Sequence, residues 1–390
     1  MIPYARQDID DEDIKAVVDV LRSNYLTQGP AVPTFERAVM DQCSAQHAIA
    51  ISNATSALHI ACLALGVGPG DEVWTSPISF VASSNCALYC GASVDFVDID
   101  PVTFNMCATK LAVKLEIASK AGRLPKVVIP VHMCGLPAEM DVIGALGRKY
   151  GFRIIEDASH ALGASYQGQP VGSCAHSDIT IFSFHPVKII TTGEGGMAVT
   201  NDGGLAKKIR LLRSHGVTSD AQEMDARPDH EIWNYQQIGL GFNYRMTDIQ
   251  AALGLSQLRR LGTFISRRHE VAGRYAKALG NLPVKVQFQA PGVYSAYHLY
   301  VVRLGVDRDG AAHQNIYKGF HEQRIAVNLH YIPIYLQPYY QALGFQRGLC
   351  PEAEAYFSEA VSLPMHPGLC EEDQDRVILT LKILLEANIS

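Results

Sequence analysis

The chain of 390 residues lacks the features that mark several specialised classes of protein. No apolar run approaches the roughly 18 residues that a membrane-spanning helix requires. Residues 1–6 contain no apolar core of the kind found in secretory signal peptides. Internal repeats and low-complexity segments are also missing. We therefore expect a cytoplasmic globular protein without a membrane segment.

Cysteine is present, but it lacks the spacing of a metal site or of a disulfide framework. The nine cysteines run from Cys43 to Cys370, and no CxxC pair occurs among them. Cys86 and Cys90 can share one helix face, but two thiols without a nearby histidine make a poor metal site. We expect buried, reduced thiols and no bound metal.

An excess of basic charge is likewise missing, since 33 lysines and arginines are outnumbered by 39 aspartates and glutamates. Nothing in this balance favours nucleic acid as a partner. Apolar residues make up 48% and charged residues 18% of the chain, as in ordinary folded proteins. The turn at Gly66–Gly70 does not have the GxGxxG spacing of a dinucleotide site, because Asp71 stands where the last glycine is needed.

What the sequence does contain is a regular alternation of strand and helix patterns between residues 48 and 200. Such alternation predicts βαβ units and a mainly parallel sheet, which binds its ligands at the carboxyl ends of the strands. The predicted strands are 48–51, 72–76, 94–97, 126–131, 152–156, 179–184 and 196–200, and predicted helices include 54–65, 80–89 and 140–150.

The ends of the chain have a different pattern. Acidic residues 11–13 precede a helical spacing of apolar residues, and after Thr247 a long helical stretch runs toward Leu279. Further strands are predicted at 299–304 and 325–329, and a last helix at 374–387. We predict an N-terminal segment with a substrate loop (1–30), a large domain (31–250) and a small C-terminal domain (251–390).

Two predicted strands end in groups with complementary chemistry. Asp157 follows the strand that ends at Glu156, and the strand 179–184 leads to Lys188. Pyridoxal phosphate (PLP) requires a lysine that holds its aldehyde as a Schiff base. It also requires a carboxylate, which raises the pKa of the pyridine nitrogen and so keeps the ring able to accept electrons. The pair therefore favours a PLP site.

The segment 52–58 supplies donors for a phosphate group. It lies between a strand and a helix, so that helix amides and the hydroxyls of Thr55 and Ser56 can hold an anion. Ser183 can add a hydroxyl, and Phe80 can stack on the ring of the cofactor. Each feature taken singly also fits a helix cap, a turn, a solvated lysine or a core residue. Their occurrence together and in this order favours PLP.

Six ordered segments give the chain a resemblance to the sugar-nucleotide aminotransferases of the DegT/StrS group. These segments are 26–30, 52–58, 156–163, 182–188, 193–196 and 241–248. The resemblance covers nearly the whole chain. It implies the aspartate-aminotransferase-like PLP fold type I, an α/β fold. In that fold the large domain has a mostly parallel central sheet flanked by helices, and a smaller α/β domain follows.

The resemblance also implies roles for individual residues. Lys188 would bind the cofactor covalently, Asp157 would pair with the pyridine nitrogen, and Phe80 would contact the ring. Phosphate contacts would come from Thr55, Ser56 and Ser183, and from Asn243 of the second subunit of a homodimer with shared active sites. Arg245 would bind the carboxylate of the amino donor. The sugar nucleotide would contact Ser56, Tyr4, Leu26, Thr27, Gln28, Gly29, Asn328, Leu329, His330 and Tyr331.

His160 is a departure from the family pattern, because many members carry glutamine at this position. A histidine can still donate a hydrogen bond to the phenolic oxygen of the cofactor. We expect this side chain to titrate nearer neutral pH.

Residues 2–4 and 7–9 are similar to those of family members that act in pseudaminic acid biosynthesis. This similarity implies transfer of an amino group from L-glutamate to the C4 ketone of a UDP-4-keto-6-deoxy-HexNAc, UDP-2-acetamido-2,6-dideoxy-β-L-arabino-hex-4-ulose. The products would be 2-oxoglutarate and UDP-4-amino-4,6-dideoxy-N-acetyl-β-L-altrosamine.

Three alternatives remain open. The chain can act on another nucleotide-linked keto-sugar, such as a GDP- or dTDP-linked one, or it can be a PLP-dependent sugar dehydratase. It can also be a non-catalytic regulatory homologue that only binds. Related dehydratases carry histidine in place of the Schiff-base lysine, so the presence of Lys188 favours transamination over dehydration.

Overall fold

The structure is a computed structural model that describes residues 1–228, 230–231, 234–305 and 310–388. The α-helices in these ranges are α1 (Asp11–Leu21), α2 (Ala31–Cys43), α3 (Ala54–Ala64), α4 (Ala82–Tyr89), α5 (Ala108–Lys120), α6 (Met140–Tyr150), α7 (Gly203–Arg213), α8 (Asp248–Arg259), α9 (Leu261–Leu279), α10 (Ala311–Glu322), α11 (Pro338–Ala342), α12 (Pro351–Glu359) and α13 (Glu371–Asn388). The strands are β1 (His47–Ile51), β2 (Glu72–Thr75), β3 (Ser93–Phe96), β4 (Val127–Ile129), β5 (Arg153–Asp157), β6 (Ser165–Tyr166), β7 (Gln169–Pro170), β8 (Ile179–Ser183), β9 (Gly196–Thr200), β10 (Val217–Thr218), β11 (Gln236–Gln237), β12 (Val284–Val286), β13 (Val293–Tyr294), β14 (Tyr300–Leu304) and β15 (Ala360–Leu363).

The central sheet has seven strands in the order β1-β9-β8-β5-β4-β2-β3. Strand β9 is antiparallel to both of its neighbours, and the pairs from β8 to β3 are all parallel. Helices cover both faces, so the strands are continuous apolar runs rather than alternating ones. This architecture confirms the predicted PLP fold type I, with its mostly parallel sheet flanked by helices.

Side-chain alternation along the strands separates the core into layers on the two faces of the sheet. In β1, Ile49 and Ile51 pack with α3 and α4, whereas Ala48 and Ala50 pack with α2 and α8 on the other face. A third cluster, built around Trp74, fills the space beneath α5 and α6. Because both faces are covered, the ends of the strands are where a ligand can enter.

Most elements predicted from the sequence are confirmed, with ends that differ by one or two residues. The long helical stretch after Thr247 is divided into α8 and α9 at Arg260. The strand predicted at 325–329 is wrong. This segment makes only two isolated β-bridges, from Ile325 to Ile2 and from Asn328 to Ser362. Because the two bridges join it to different parts of the chain, no continuous strand pairing forms.

The C-terminal part of the chain builds a small antiparallel sheet in the order β12-β14-β15. This sheet packs with α9, α10 and α13, and Ile2 belongs to the same hydrophobic cluster. Farther along the chain, Ile334, Tyr335 and Tyr356 pack in the cluster that lies on the central sheet. The three-part division at residues 30 and 250 stays a prediction.

All nine cysteines are free thiols. Six of them are buried, as expected, whereas Cys370 is exposed and Cys107 and Cys174 are half-buried. Within the described ranges, no helix combines the length and the apolar character needed to cross a bilayer.

Helix α1 is fixed to the rest of the molecule by one guanidinium group. Arg260 contacts the carboxylates of Asp8, Asp10 and Asp13 at 2.7, 3.1 and 2.5 Å. Asp13 is completely buried and also accepts a hydrogen bond of 2.6 Å from Gln257 Nε2. A buried carboxylate is tolerated here because a cation and an amide both contact it.

We expect Arg260→Ala to lower the free energy of unfolding by about 3 kcal/mol, because it leaves the buried Asp13 without a cation. Urea unfolding followed by circular dichroism would measure the change. Lys15→Ala is the matched control on α1, because its pair with Asp19 is exposed to solvent and we expect little change in the free energy of unfolding. Equal losses in the two variants would contradict the prediction.

Candidate active site

A cavity of about 950 Å³ opens at the carboxyl ends of β1, β2, β5 and β8. Loops after these four strands form most of its wall, as expected for a parallel sheet. The segment 328–332 and Tyr4 close it from the side of the small sheet. Twelve residues predicted for the site line this one cavity, namely Tyr4, Thr55, Ser56, Phe80, Asp157, His160, Ser183, Lys188, Asn328, Leu329, His330 and Tyr331.

Lys188 lies in the loop after β8, five residues beyond the strand end at Ser183. Burial lowers the pKa of Lys188 to about 8, and the negative charge of Asp157 partly opposes this shift. The Lys188 amine makes no hydrogen bond to any residue in the described part of the chain. An appreciable fraction of this unpartnered amine is therefore neutral near physiological pH, far more than for an ordinary lysine.

Asp157 is the last residue of β5 and is almost completely buried. Its Oδ2 accepts a hydrogen bond of 2.6 Å from Ser83 Oγ. Its Oδ1 accepts two bonds from Ser159, one from Oγ at 2.6 Å and one from the amide at 3.1 Å. Since an ionised carboxylate only accepts hydrogen bonds, this set of donors stabilises the charged form.

The N-terminus of α3 forms a cradle of donors at one end of the cavity. Asn53 is the N-cap, and its Oδ1 accepts a hydrogen bond of 2.8 Å from the Ser56 amide. The amides of Ala54 and Thr55 have no carbonyl partner inside the helix. The hydroxyls of Thr55 and Ser56 contact no hydrogen-bond partner among the described residues. These groups are free to hold an anion.

Strand β9 passes very close to this cradle, and Gly196 makes the approach possible. A Cβ at position 196 would lie 2.6 Å from the carbonyl carbon of Asn53 and 2.7 Å from the amide nitrogen of Ala54. Any side chain at Gly196 would therefore displace the start of α3.

His160 lies beside the cavity, with its Nε2 3.3 Å from the hydroxyl of Tyr331. Its Nδ1 is buried and has no partner among the described residues. Burial first, and then the positive charges of Lys188, His330 and His132, hold the pKa of His160 well below its usual range. The expectation that His160 titrates near neutral pH is therefore wrong, because a buried ring beside a cation stays neutral.

The opposite wall of the cavity is aromatic. The ring of Tyr4 lies 5.6 Å from that of His330, and the ring of Phe80 lies 6.4 Å from that of Tyr331. Phe80 is 59% exposed, so its ring is free to contact a ligand. Burial, with a smaller contribution from Lys188, lowers the pKa of His330 to about 3, and its Nδ1 lies 2.8 Å from Ser362 Oγ.

Six predicted site residues do not line this cavity: Leu26, Thr27, Gln28, Gly29, Asn243 and Arg245. We call these six residues the second group. The group lies on two segments, 26–29 and 243–245, and Asp248 connects them. The Oδ2 of Asp248 accepts a hydrogen bond from the Gly29 amide at 2.7 Å, and its amide donates one to the Leu26 carbonyl at 3.0 Å. Asn243 is exposed, and the backbone of Arg245 pairs with Ile51.

Several residues of the site were not predicted from the sequence. Asn53 could have been recognised, because it stands at the N-cap position before the helix signal. The contact of Ser159 with Asp157 is local, since Ser159 follows Asp157 by two residues and an aspartate side chain often accepts from the backbone at that distance. No sequence signal indicates that Ser83 contacts Asp157, since this contact joins the start of α4 to the end of β5. The cavity-lining residues Tyr244 and His298 were missed for the same reason.

The donor set fits PLP. The cavity offers an amine with a lowered pKa, a buried carboxylate, unpartnered donors at a helix N-terminus and the unpartnered Nδ1 of His160. Lys188 would hold the aldehyde, Asp157 the ring nitrogen, and Thr55, Ser56 and Ser183 the phosphate. No group of three or more His, Cys, Asp or Glu side chains in the described ranges is arranged to hold a metal ion.

Comparison with known proteins identifies a family. The model of the DegT/DnrJ/EryC1/StrS aminotransferase family matches residues 7–382. The spore coat polysaccharide biosynthesis protein SpsC of Bacillus subtilis is 36% identical over 391 residues, which cover 99% of this chain and 97% of SpsC.

Solved structures agree with this result. PseC of Helicobacter pylori, an aminotransferase involved in the biosynthesis of pseudoaminic acid, has a TM-score of 0.89 and 31% identity, covering 98% of this chain and 99% of PseC. Spr1654 of Streptococcus pneumoniae in its PLP form has a TM-score of 0.88 and 30% identity, covering 100% of both chains.

The lowered pKa of Lys188 leads to a prediction for the cofactor-free protein. Acetic anhydride modifies only neutral amines, so we expect acetylation of Lys188, followed by peptide mass spectrometry, to reach half its maximum rate near pH 8. Asp157→Asn should move this midpoint to lower pH, because the carboxylate opposes the loss of the proton.

Lys15 is the internal control, since its exposed amine is paired with Asp19 and its pKa is raised. Its midpoint should lie above pH 10, where ordinary lysines titrate. A midpoint for Lys188 equal to that for Lys15 would contradict the prediction.

Proposed function

Because the chain belongs to the DegT/DnrJ/EryC1/StrS aminotransferase family, whose members depend on PLP, we propose that it aminates a nucleotide-linked keto-sugar. The proposed substrate is a UDP-4-keto-6-deoxy-HexNAc, aminated at C4 with L-glutamate as donor. The observation that carries the proposal is the presence of Lys188 and Asp157 in one cavity large enough for a cofactor and a sugar.

The residues of the cavity have distinct tasks in this reaction. When bound, PLP supplies an aldehyde that takes up the amino group and a ring that accepts electrons. Lys188 removes the proton from Cα of glutamate and, in the second half-reaction, delivers a proton to C4 of the sugar. A pKa of about 8 suits this work, because a general base is most effective when its pKa is near the working pH.

Asp157 and the donors at the start of α3 hold the cofactor in position and do not transfer protons. The Asp157 carboxylate stabilises positive charge on the ring nitrogen, and the donors of Thr55 and Ser56 fix the phosphate. His160 is neutral, so it adds no charge beside Lys188 and can donate a hydrogen bond through one nitrogen only. The aromatic wall around Tyr4 and Tyr331 offers surfaces for the sugar and the base.

Similarity to PseC supports a substrate on the route to pseudaminic acid. The higher identity to SpsC supports a second candidate, in which the same reaction takes place on a different nucleotide-linked keto-sugar. Both candidates share the donor, the cofactor and the roles of Lys188 and Asp157, and they differ only in the sugar nucleotide. A dehydratase is disfavoured by Lys188 itself.

A panel of nucleotide keto-sugars tests the substrate. We expect 2-oxoglutarate to form from glutamate with the UDP-linked 4-keto-6-deoxy-HexNAc at a kcat/KM at least about tenfold above that with GDP- and dTDP-linked 4-keto-6-deoxy sugars. A coupled dehydrogenase assay measures the product, and the Lys188→Ala variant is the inactive control. Equal rates on all substrates would contradict the UDP assignment, and no turnover with any of them would contradict transamination.

We also propose that the enzyme is a homodimer with shared active sites. The second group is separate from the cavity of its own chain, although the family resemblance assigns its residues to the same function. A partner subunit that presents its Asn243 and Arg245 to the cavity would complete the phosphate and carboxylate contacts. The exposed side chain of Asn243 is compatible with such a contact.

Mixing two inactive variants tests this proposal. One carries Lys188→Ala and the other carries both Asn243→Ala and Arg245→Ala. After subunit exchange, half of the dimers are mixed and each has one intact site, so about one quarter of wild-type activity should return. Native mass spectrometry of the mixture, with an affinity tag on one variant, controls for the exchange by showing that mixed dimers form. If the mixture stays as inactive as its components, these residues act within their own chain and the shared site is wrong.

A further inference from the structure

A chain of hydroxyl groups ends on the carboxylate of Asp157. Ser83 is the second residue of α4 and is completely buried. Its Oγ lies 2.6 Å from Asp157 Oδ2 and 2.7 Å from the Oγ of Ser79. The carbonyl oxygen of Phe80 is a more distant acceptor, at 3.3 Å.

The direction of these hydrogen bonds follows from the chemistry of the groups. A serine hydroxyl donates one proton, and an ionised carboxylate can only accept. Ser83 therefore donates to Asp157, and Ser79 donates to Ser83. From the other side, Ser159 donates both its hydroxyl and its amide to Oδ1.

We propose that Ser83 and Ser159 are positioning residues that keep Asp157 in its charged form and fix its two oxygens. Hydrogen bonds to a carboxylate favour the ionised over the protonated state. When the cofactor is bound, a charged Asp157 would stabilise a proton on the ring nitrogen. The inference rests on the proposed role of Asp157 and adds the residues that make this carboxylate suitable.

The charged and titratable groups that face Asp157 do not provide the same effect. Lys188 lies across the cavity and favours the charged carboxylate, but its own proton is lost near pH 8. His160 and His330 stay neutral at moderately acidic pH, because burial lowers the pKa of each far below its usual value. Burial also raises the pKa of Tyr331, so it stays protonated. The serines are thus the neutral donors that act at every pH.

Ser84 offers a matched control on the same helix. It is completely buried like Ser83, but its hydroxyl lies 2.6 Å from that of Tyr340 and 3.0 Å from the carbonyl of Val81. It makes no hydrogen bond to Asp157. A general loosening of α4 would therefore affect Ser84→Ala and Ser83→Ala alike, whereas the proposed role separates them.

The test uses cofactor-free protein and follows PLP binding by its absorbance at one fixed neutral pH. We expect Ser83→Ala and Ser159→Ala each to weaken PLP binding by about tenfold, because the carboxylate loses a donor that holds it in place. Ser84→Ala should bind PLP as the wild type does. Circular dichroism confirms that each variant is folded.

A further variant separates this inference from the function on which it rests. Asp157→Asn cannot carry a negative charge, so it should weaken PLP binding more than either serine variant does. If Asp157→Asn binds PLP as tightly as the wild type, the role of Asp157 is wrong. If Asp157→Asn weakens binding, but both Ser83→Ala and Ser159→Ala keep the wild-type affinity, the positioning role of the serines is overturned. An equal loss in Ser84→Ala would also overturn it.

Discussion

The balance between desolvation and one opposing charge governs the chemistry of this site. Burial of Lys188 disfavours its charged form, while the negative charge of Asp157 favours the ammonium form. The outcome, a pKa of about 8, leaves both forms accessible to the enzyme. Parallel pairing of β5 with β8 is what brings the two groups to one edge of the sheet. Any change that shifts these strands would alter both the geometry and the protonation state.

The lowered pKa values of the histidines in the cavity share two causes, burial and a neighbouring charge. Burial is the main cause of the lowered pKa in His160, His298 and His330, and the charge of Lys188 adds to it in all three. Neutral rings at these three positions add no charge beside Lys188 and Asp157. A charged imidazole beside Lys188 would lower the pKa of the amine further and would compete for the carboxylate of a substrate.

Prediction from the sequence succeeded where local chemistry and chain order carry the information. Asp157 and Lys188 were predicted to lie close together because each follows a strongly apolar run and the ends of parallel strands meet at one edge of a sheet, and both line one cavity. It failed where the outcome depends on contacts between distant elements. The protonation state of His160 depends on its burial near Lys188, and the segment 325–329 has two partners from opposite ends of the chain. Ser83 carries no signal in the sequence, because its hydrogen bond to Asp157 forms only once the start of α4 lies beside the end of β5.

The extended segment 243–245 shows how one chain can hold the residues that we assign to the site in two separate places. Its backbone is fixed next to the cradle, because the Ser52 amide donates a hydrogen bond of 2.8 Å to the Tyr244 carbonyl. Side chains alternate in an extended segment, so the two neighbours of Tyr244 lie on the face opposite to it. Tyr244 lines the cavity of its own chain, whereas Asn243 and Arg245 do not. A single short segment can therefore serve two cavities, one on each of its faces, and a second subunit packed against the outer face would make each site dependent on both chains.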